Sequence, residues 1–224
     1  MFRPLFLAAT LALAPLPALA QGELGTPPAG TYKLDLSHGR LIFKVNHLGF
    51  STYIGLFTRF DATLRFDPEA PETMSVTATV DPKSLETHFP DPAYDFNAQL
   101  TGPEFLDAGQ FPEITFTSTA VRLTGETTAE VTGDLTLHGV TKPVTMTVIY
   151  NGGWAHMPMD PGGARAGFSA RGALNRSDFG ISFGLPAPGT TMGVGDRVEF
   201  EIETEFSNPD APKPEAPKPD TPKP

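Results

Sequence analysis

The sequence predicts an all-β protein built on an antiparallel sheet, and three observations carry that expectation. First, the stretch from Ala129 to Tyr150, AEVTGDLTLHGVTKPVTMTVIY, alternates with period two. Val131, Gly133, Leu135 and Leu137 fall on one face against Thr132, Asp134, Thr136 and His138, and Val144, Met146, Val148 and Tyr150 then share a face against Thr145 and Thr147. Such a period marks strands with one buried side. Second, the same pattern recurs on both sides of this hairpin. Third, the 224 residues include no Cys, so no disulfide framework holds the fold and an apolar core must do so. An antiparallel sheet of this kind has two edges, and closure into a barrel removes them.

The elements follow in chain order. Residues 1–20, MFRPLFLAATLALAPLPALA, combine Arg3, an apolar run from Leu5 to Leu13 and a small-x-small close at Ala18-Leu19-Ala20. They read as a cleavable signal peptide, the run being short for a membrane anchor and followed by Pro15 and Pro17. Residues 21–29 are a polar leader. Strands are expected at Thr31–Leu36, His38–Gly49, Thr58–Phe66 and Met74–Asp81. In the second, Leu41, Phe43, Val45 and His47 share the inward parity; in the third, Phe60, Ala62, Leu64 and Phe66 do.

The rhythm breaks between Pro82 and Phe111. Asp91-Pro92 reads as a helix start, and Phe96 and Leu100 lie four apart on one helical face. A second turn carries Phe105 and Leu106. This short helical insert is expected to cover one end of the sheet. Strands resume at Glu113–Leu123, with Ile114 and Phe116 inward, and at the central hairpin, whose connection is placed at Gly139 to Pro143. Residues 151–164 read as a loop. Arg165–Leu174 is a strand that aligns Phe168, Ala170, Gly172 and Leu174. Asp95 and Asp178 are candidates for buried acids. After a loop over 185–195, the last strand, Arg197–Phe206, turns Val198, Phe200, Ile202 and Phe206 inward and Glu199, Glu201, Glu203 and Glu205 outward. Residues 207–224 close with a Pro-Lys repeat that suits an extended, solvated tail.

The chemistry-bearing residues are sparse. The five His residues show no ligand spacing and no Cys supports them, so no metal site is expected. Gly167-Phe168-Ser169-Ala170-Arg171 fails the nucleophile-elbow pattern at its last position. The formal charge is −10 and no basic stripe exists, which argues against nucleic acid as a partner. What stands out is 17 Phe without matching chemistry. Many are inward on strands, and Phe96 and Phe105 sit on the insert. An eight-stranded barrel is just wide enough to be filled by side chains or to hold one ligand, and apolar residues on loops and insert suggest a lined opening.

Several stretches together resemble the YceI-like family of bacterial exported proteins. They are Ser37–Pro68, the run Phe111-Pro112-Glu113-Ile114-Thr115-Phe116-Thr117-Ser118-Thr119, Gly133–Val144, Leu174–Ile181 and Val194–Glu205. The resemblance covers about residues 30–206 and implies an extended antiparallel lipocalin-like β-barrel in the periplasm. It further implies an apolar channel for a long isoprenoid, an isoprenoid quinone or a similar lipid, with no enzymatic activity, and makes a homodimer plausible. In one place the chain departs from the family. Where relatives often show Arg-Asp-x-His-Leu, this sequence has Phe96-Asn97-Ala98-Gln99-Leu100, so a charged head-group role does not carry over.

The resulting expectation is a barrel that binds a lipid chain, without cofactor, metal or stable membrane insertion. Its lining is placed at Phe43, Val45, Phe60 and Leu64 from the early strands and Phe116, Leu135, Leu137 and Met146 from the middle ones. Phe168 and Leu174 complete it. Phe96, Leu100 and Phe105 form a lid, and His47 is the polar contact. Two alternatives stand beside it: an enzyme on a lipidic substrate using His47 with a buried Asp, and a filled barrel that serves as a protein-interaction module.

Overall fold

The computed structural model describes residues 25–212. The stretch read as a signal peptide, residues 21–24 of the leader and all but the first two residues of the Pro-Lys repeat lie outside the described residues. Eleven strands form one antiparallel sheet: β1 (Gly30–Leu34), β2 (Arg40–His47), β3 (Ser51–Phe57), β4 (Phe60–Phe66), β5 (Ser75–Val80), β6 (Leu85–Glu86), β7 (Ile114–Leu123), β8 (Thr128–Leu137), β9 (Val140–Trp154), β10 (Ala164–Asn175) and β11 (Val194–Asn208). Eight of them close a ring in the order β1-β4-β5-β7-β8-β9-β10-β11, with β1 returning to β11. Closure leaves no edge in the ring.

The long strand β11 makes the geometry asymmetric. Its C-terminal end pairs with β1, Leu34 opposite Phe206. Its N-terminal part, Val194 to Glu203, pairs instead with β2. The seam therefore opens above Leu34, and the β2–β3 hairpin, extended by β6, fills it as a flap. Near the closed end the core is dense: Tyr32, Leu34, Leu64, Phe66 and Phe206 are buried. Rings of Tyr32, Phe66, Tyr150, Phe168 and Phe206 meet there, with neighbouring centroids 5.3 to 6.4 Å apart. Burial raises the Tyr32 hydroxyl to about 12, and that hydroxyl donates to the Pro28 carbonyl at 2.7 Å.

Several expectations from the sequence need correction. Pro143 is not in the connection. The β8–β9 turn is only His138-Gly139, both with positive φ (51° and 74°), as a two-residue primed turn demands. Pro143 sits within β9 opposite Asp134, beyond Met146, the last β9 residue paired with β10. Its missing N–H is harmless on that unpaired side. The helix α1 spans Phe96–Thr101 and is capped by Asp95, which accepts from Ala98 N at 2.9 Å. Asp91 instead orders a turn by accepting from Ala93 N. Strand β9 runs on to Trp154 through the stretch read as a loop, and β11 begins at Val194 and ends at Asn208. Strand β3 was not anticipated, because Ile54 and Leu56 put apolar residues on its outer face and blur the alternation.

Candidate ligand-binding site

Inward parity on the ring strands and flap produces one large apolar cavity of about 1130 Å³. All fourteen residues expected to touch a ligand border it. Phe43, Val45 and His47 come from β2, and Phe60 and Leu64 from β4. Phe116, Leu135, Leu137 and Met146 come from β7 to β9, and Phe168 and Leu174 from β10. Phe96 and Leu100 lie on α1, and Phe105 on the turn after it. Strand β11, which the expected lining omitted, contributes Val198, Phe200, Ile202 and Thr204 as well. The alternation of Val198, Phe200 and Ile202 with Glu199, Glu201 and Glu203 is the sequence signal that places them inward. Since Leu137 and Thr128 both line the cavity, it follows β8 along its length, roughly 30 Å at the usual rise per residue.

The walls are apolar but incompletely packed. Phe43, Val45, Leu135, Met146, Leu174 and Phe200 are only half-buried although each points inward. In a filled barrel such residues interdigitate and lose contact with water. The filled-barrel alternative is therefore not the architecture of this chain. Three glycines help keep the lumen clear. A Cβ on Gly55 would stand 2.4 Å from the Phe43 ring, one on Gly133 2.4 Å from Phe116, and one on Gly172 2.3 Å from Phe200. Each ring occupies the space that the glycine vacates.

Polar groups stand at both ends of the cavity: Ser75, Glu126, Thr127 and Thr128 at the β7–β8 turn end, and a second group at the flap end, where the cavity meets solvent. Here stand His47, Tyr53, Tyr94 and Gln99, with Tyr94 Oη donating to Gln99 Oε1 at 2.6 Å. The lid is an aromatic stack: Phe96 lies 5.7 Å from Tyr53, 5.1 Å from Phe89 and 6.3 Å from Tyr94. It is tied down chiefly by Asn97, whose Oδ1 accepts from Thr87 N and Oγ1 at 3.1 and 2.7 Å, while its Nδ2 donates to Glu86. This residue lies in the stretch Phe96–Leu100, where the sequence resemblance raises the expectation of a charge. Here it serves the lid's own attachment.

The lining holds two formally charged side chains, Glu126 at an exposed turn and Arg176. Arg176 is buried, and no carboxylate answers it directly. Its guanidinium donates instead to four carbonyls: Gly195 at 2.9 Å, Ile181 at 3.2 Å, Phe183 at 2.8 Å and Val194 at 2.8 Å. Desolvation lowers its pKa, and the Asp196 charge partly offsets that. It staples the 181–195 loop to the barrel rim.

His47 lies at that rim and is exposed. No carboxylate comes within ion-pair distance of it among the described residues. Asp95 and Asp178 are both exposed, the first capping α1 and the second pairing with Lys142. The buried His–Asp pair that the enzyme alternative requires is not formed. A second cluster, Asp35, His38 and Glu205, brings three ligand-type atoms together on the outer wall. The Arg165 guanidinium already occupies it, donating to Asp35 at 2.7 Å and Glu205 at 3.1 Å.

Comparison with known proteins matches residues 32–206 to the YceI-like domain. A "UPF0312 protein" of Pseudomonas savastanoi is 40% identical over 188 residues, covering 81% of this chain and 92% of that protein. Among solved structures, BcnA of Burkholderia cenocepacia superposes with a TM-score of 0.64 at 26% identity, over 77% of this chain and 98% of its own. A polyisoprenoid binding domain from Saccharophagus degradans superposes with a TM-score of 0.56 at 12% identity, over 81% and 98%, a likeness of fold.

Proposed function

The chain belongs to the YceI-like family, and from its cavity we propose that it binds one long isoprenoid or isoprenoid-quinone chain and sequesters or carries it through the periplasm. The observation that carries this reading is the half-buried apolar lining of a cavity of about 1130 Å³. Drug-sized ligands occupy pockets of about 300–1,000 Å³ with several placed polar groups. This cavity is above that range, is elongated, and is lined along most of its length by apolar side chains. A flexible hydrocarbon matches such a space better than a compact polar metabolite. The Saccharophagus degradans domain, described as polyisoprenoid binding, shares the fold and agrees with this reading.

Physical chemistry supports the same ligand class. Each buried CH₂ contributes about 0.8 kcal/mol, so one five-carbon unit supplies roughly 3 kcal/mol gross. A few units outweigh the costs of association. The mouth groups His47, Tyr53, Tyr94 and Gln99 offer hydrogen bonds without a fixed charge pair, which suits a neutral head such as a quinone better than a pyrophosphate. Outside the barrel the arrangement is reversed: Lys44 bonds Glu201 at 2.9 Å and Arg165 bonds Glu205. A membrane-spanning barrel carries an apolar outer band, so this outer wall belongs in water. Among the described residues no helix is long and apolar enough to cross a membrane. The binding role calls for no covalent chemistry.

A titration of delipidated protein with quinones of increasing prenyl length tests the proposal. Affinity should rise with each added unit until the cavity is full. Affinity independent of chain length, or no binding at any length, would contradict it.

A further inference from the structure

A chain insoluble in water has to enter the barrel from somewhere, and exposed apolar side chains stand beside the mouth. Phe50, at the tip of the β2–β3 hairpin, is 82% exposed, and Met192, in the β10–β11 loop, is 65% exposed. The two tips are joined: Leu48 N donates to the Gly193 carbonyl at 2.9 Å, and a Cβ on Gly49 would touch Thr191 at 2.7 Å. Phe183, 46% exposed, continues the surface into the cavity, which it lines beside Phe105, their ring centroids being 5.2 Å apart. Contiguous exposed apolar surface of this kind marks an interaction site, whereas singly scattered residues do not.

The sequence of these two tips is as telling as their exposure. Residues 48–58 (LGFSTYIGLFT) and 181–195 (ISFGLPAPGTTMGVG) contain no Asp, Glu, Lys, Arg or His in a chain with formal charge −10. Charge is the costly part of entering a bilayer interface, and its absence over two adjoining loops removes that cost. Asp91 and Asp95 stand on the lid across the mouth, where an anionic surface would repel them.

We propose that the joined tips of the β2–β3 hairpin and the β10–β11 loop, led by Phe50 and Met192, form a docking surface for an uncharged lipid bilayer. The surface holds the mouth against the membrane so that the chain moves between bilayer and barrel without crossing water. This inference rests on the lipid-chain reading above. The partner is a net-neutral membrane because the tips supply apolar contact and no cation.

The test places a fluorescent probe at the tip. Trp154 is the sole Trp, and its Nε1 is buried without a partner, so Trp154→Phe removes no hydrogen bond. In that background Phe50→Trp should be quenched by vesicles of brominated phosphatidylcholine, while Ile149→Trp, on the outer wall of β9, should not. The pair Phe50→Ser and Met192→Ser should weaken vesicle binding about tenfold and slow quinone uptake from vesicles by a similar factor. Loading with a short-chain quinone in solution should be unchanged, since neither residue lines the cavity. No quenching at position 50, equal quenching at both positions, a requirement for anionic lipid, or a dimer that buries Phe50 without vesicle contact would each overturn docking. Failure of the unaltered protein to load quinone in solution would instead overturn the ligand reading, and the quenching result would stand apart from it.

Discussion

The ring of Phe200 lies over Gly172, its paired neighbour across β10 and β11, so closely that a Cβ on the glycine would stand 2.3 Å from Cζ. The contact lets a large residue sit on the inner wall without crossing the lumen. Gly172→Val should push the ring toward the cavity centre. Prenyl-chain affinity should then fall about tenfold, the loss of one or two buried methylenes, while the barrel stays folded. Quinone titration with circular dichroism checks both halves.

Filling the lumen directly gives a complementary expectation. Met146 faces the cavity and is half-buried, leaving a larger side chain room to grow inward. Met146→Trp should abolish binding of long chains and keep or slightly raise the melting temperature. Unchanged affinity for long chains would mean that this stretch of wall lies off the ligand path.

The rim depends on Arg176. Replacing it by Met leaves the Gly195, Ile181, Phe183 and Val194 carbonyls without their donor. Losing charge-assisted bonds of this kind at a buried site should cost about 3 kcal/mol. Denaturant unfolding measures the loss, and hydrogen exchange should show it concentrated in the 181–195 loop.

Asn97 should control exchange more than stability. In Asn97→Ala the lid loses its bonds to Thr87 and Glu86, while the barrel ring keeps its own pairing. Ligand release should quicken several-fold with a stability change of about 1 kcal/mol. Stopped-flow displacement of a bound quinone provides the rate.

Acid should act through the Arg165 cluster. Hydrogen bonds from Ser37 and then from the Arg165 guanidinium hold the Asp35 carboxyl well below its usual range, and a hydrogen bond from Arg165 lowers that of Asp160. Carboxyls that are depressed on folding stabilise the native state above the unfolded pKa of about 3.9. That contribution is lost as pH falls further toward the folded values. Stability should therefore be insensitive to this cluster near neutrality and decline below about pH 4, and Asp160→Asn should flatten the decline. Urea midpoints measured across this range decide it.

The fold was legible where alternation was clean. Strands β4, β8 and β10 and the inward parity of β11 follow from period two, because each has one apolar and one polar face. β3 was hidden by Ile54 and Leu56 on its outer side. Pro143 misled because its tolerance depends on where β10 stops pairing, a tertiary fact. The helix cap moved from Asp91 to Asp95 since both acids suit a turn and only packing over β6 chooses between them. In the site, parity sufficed to place side chains such as Phe43 and Leu135 on the lumen. The role of Arg176 could not be read locally, its four acceptors lying five to nineteen residues downstream in a loop without regular pattern.

The most direct test of the central claim is native mass spectrometry of the protein purified from its own cells, with organic extraction of whatever is bound. A one-to-one adduct with the mass of a prenyl chain or prenyl quinone, absent from Met146→Trp, is the predicted result. A bare protein mass that stays unchanged after incubation with quinones and polyprenols would contradict it.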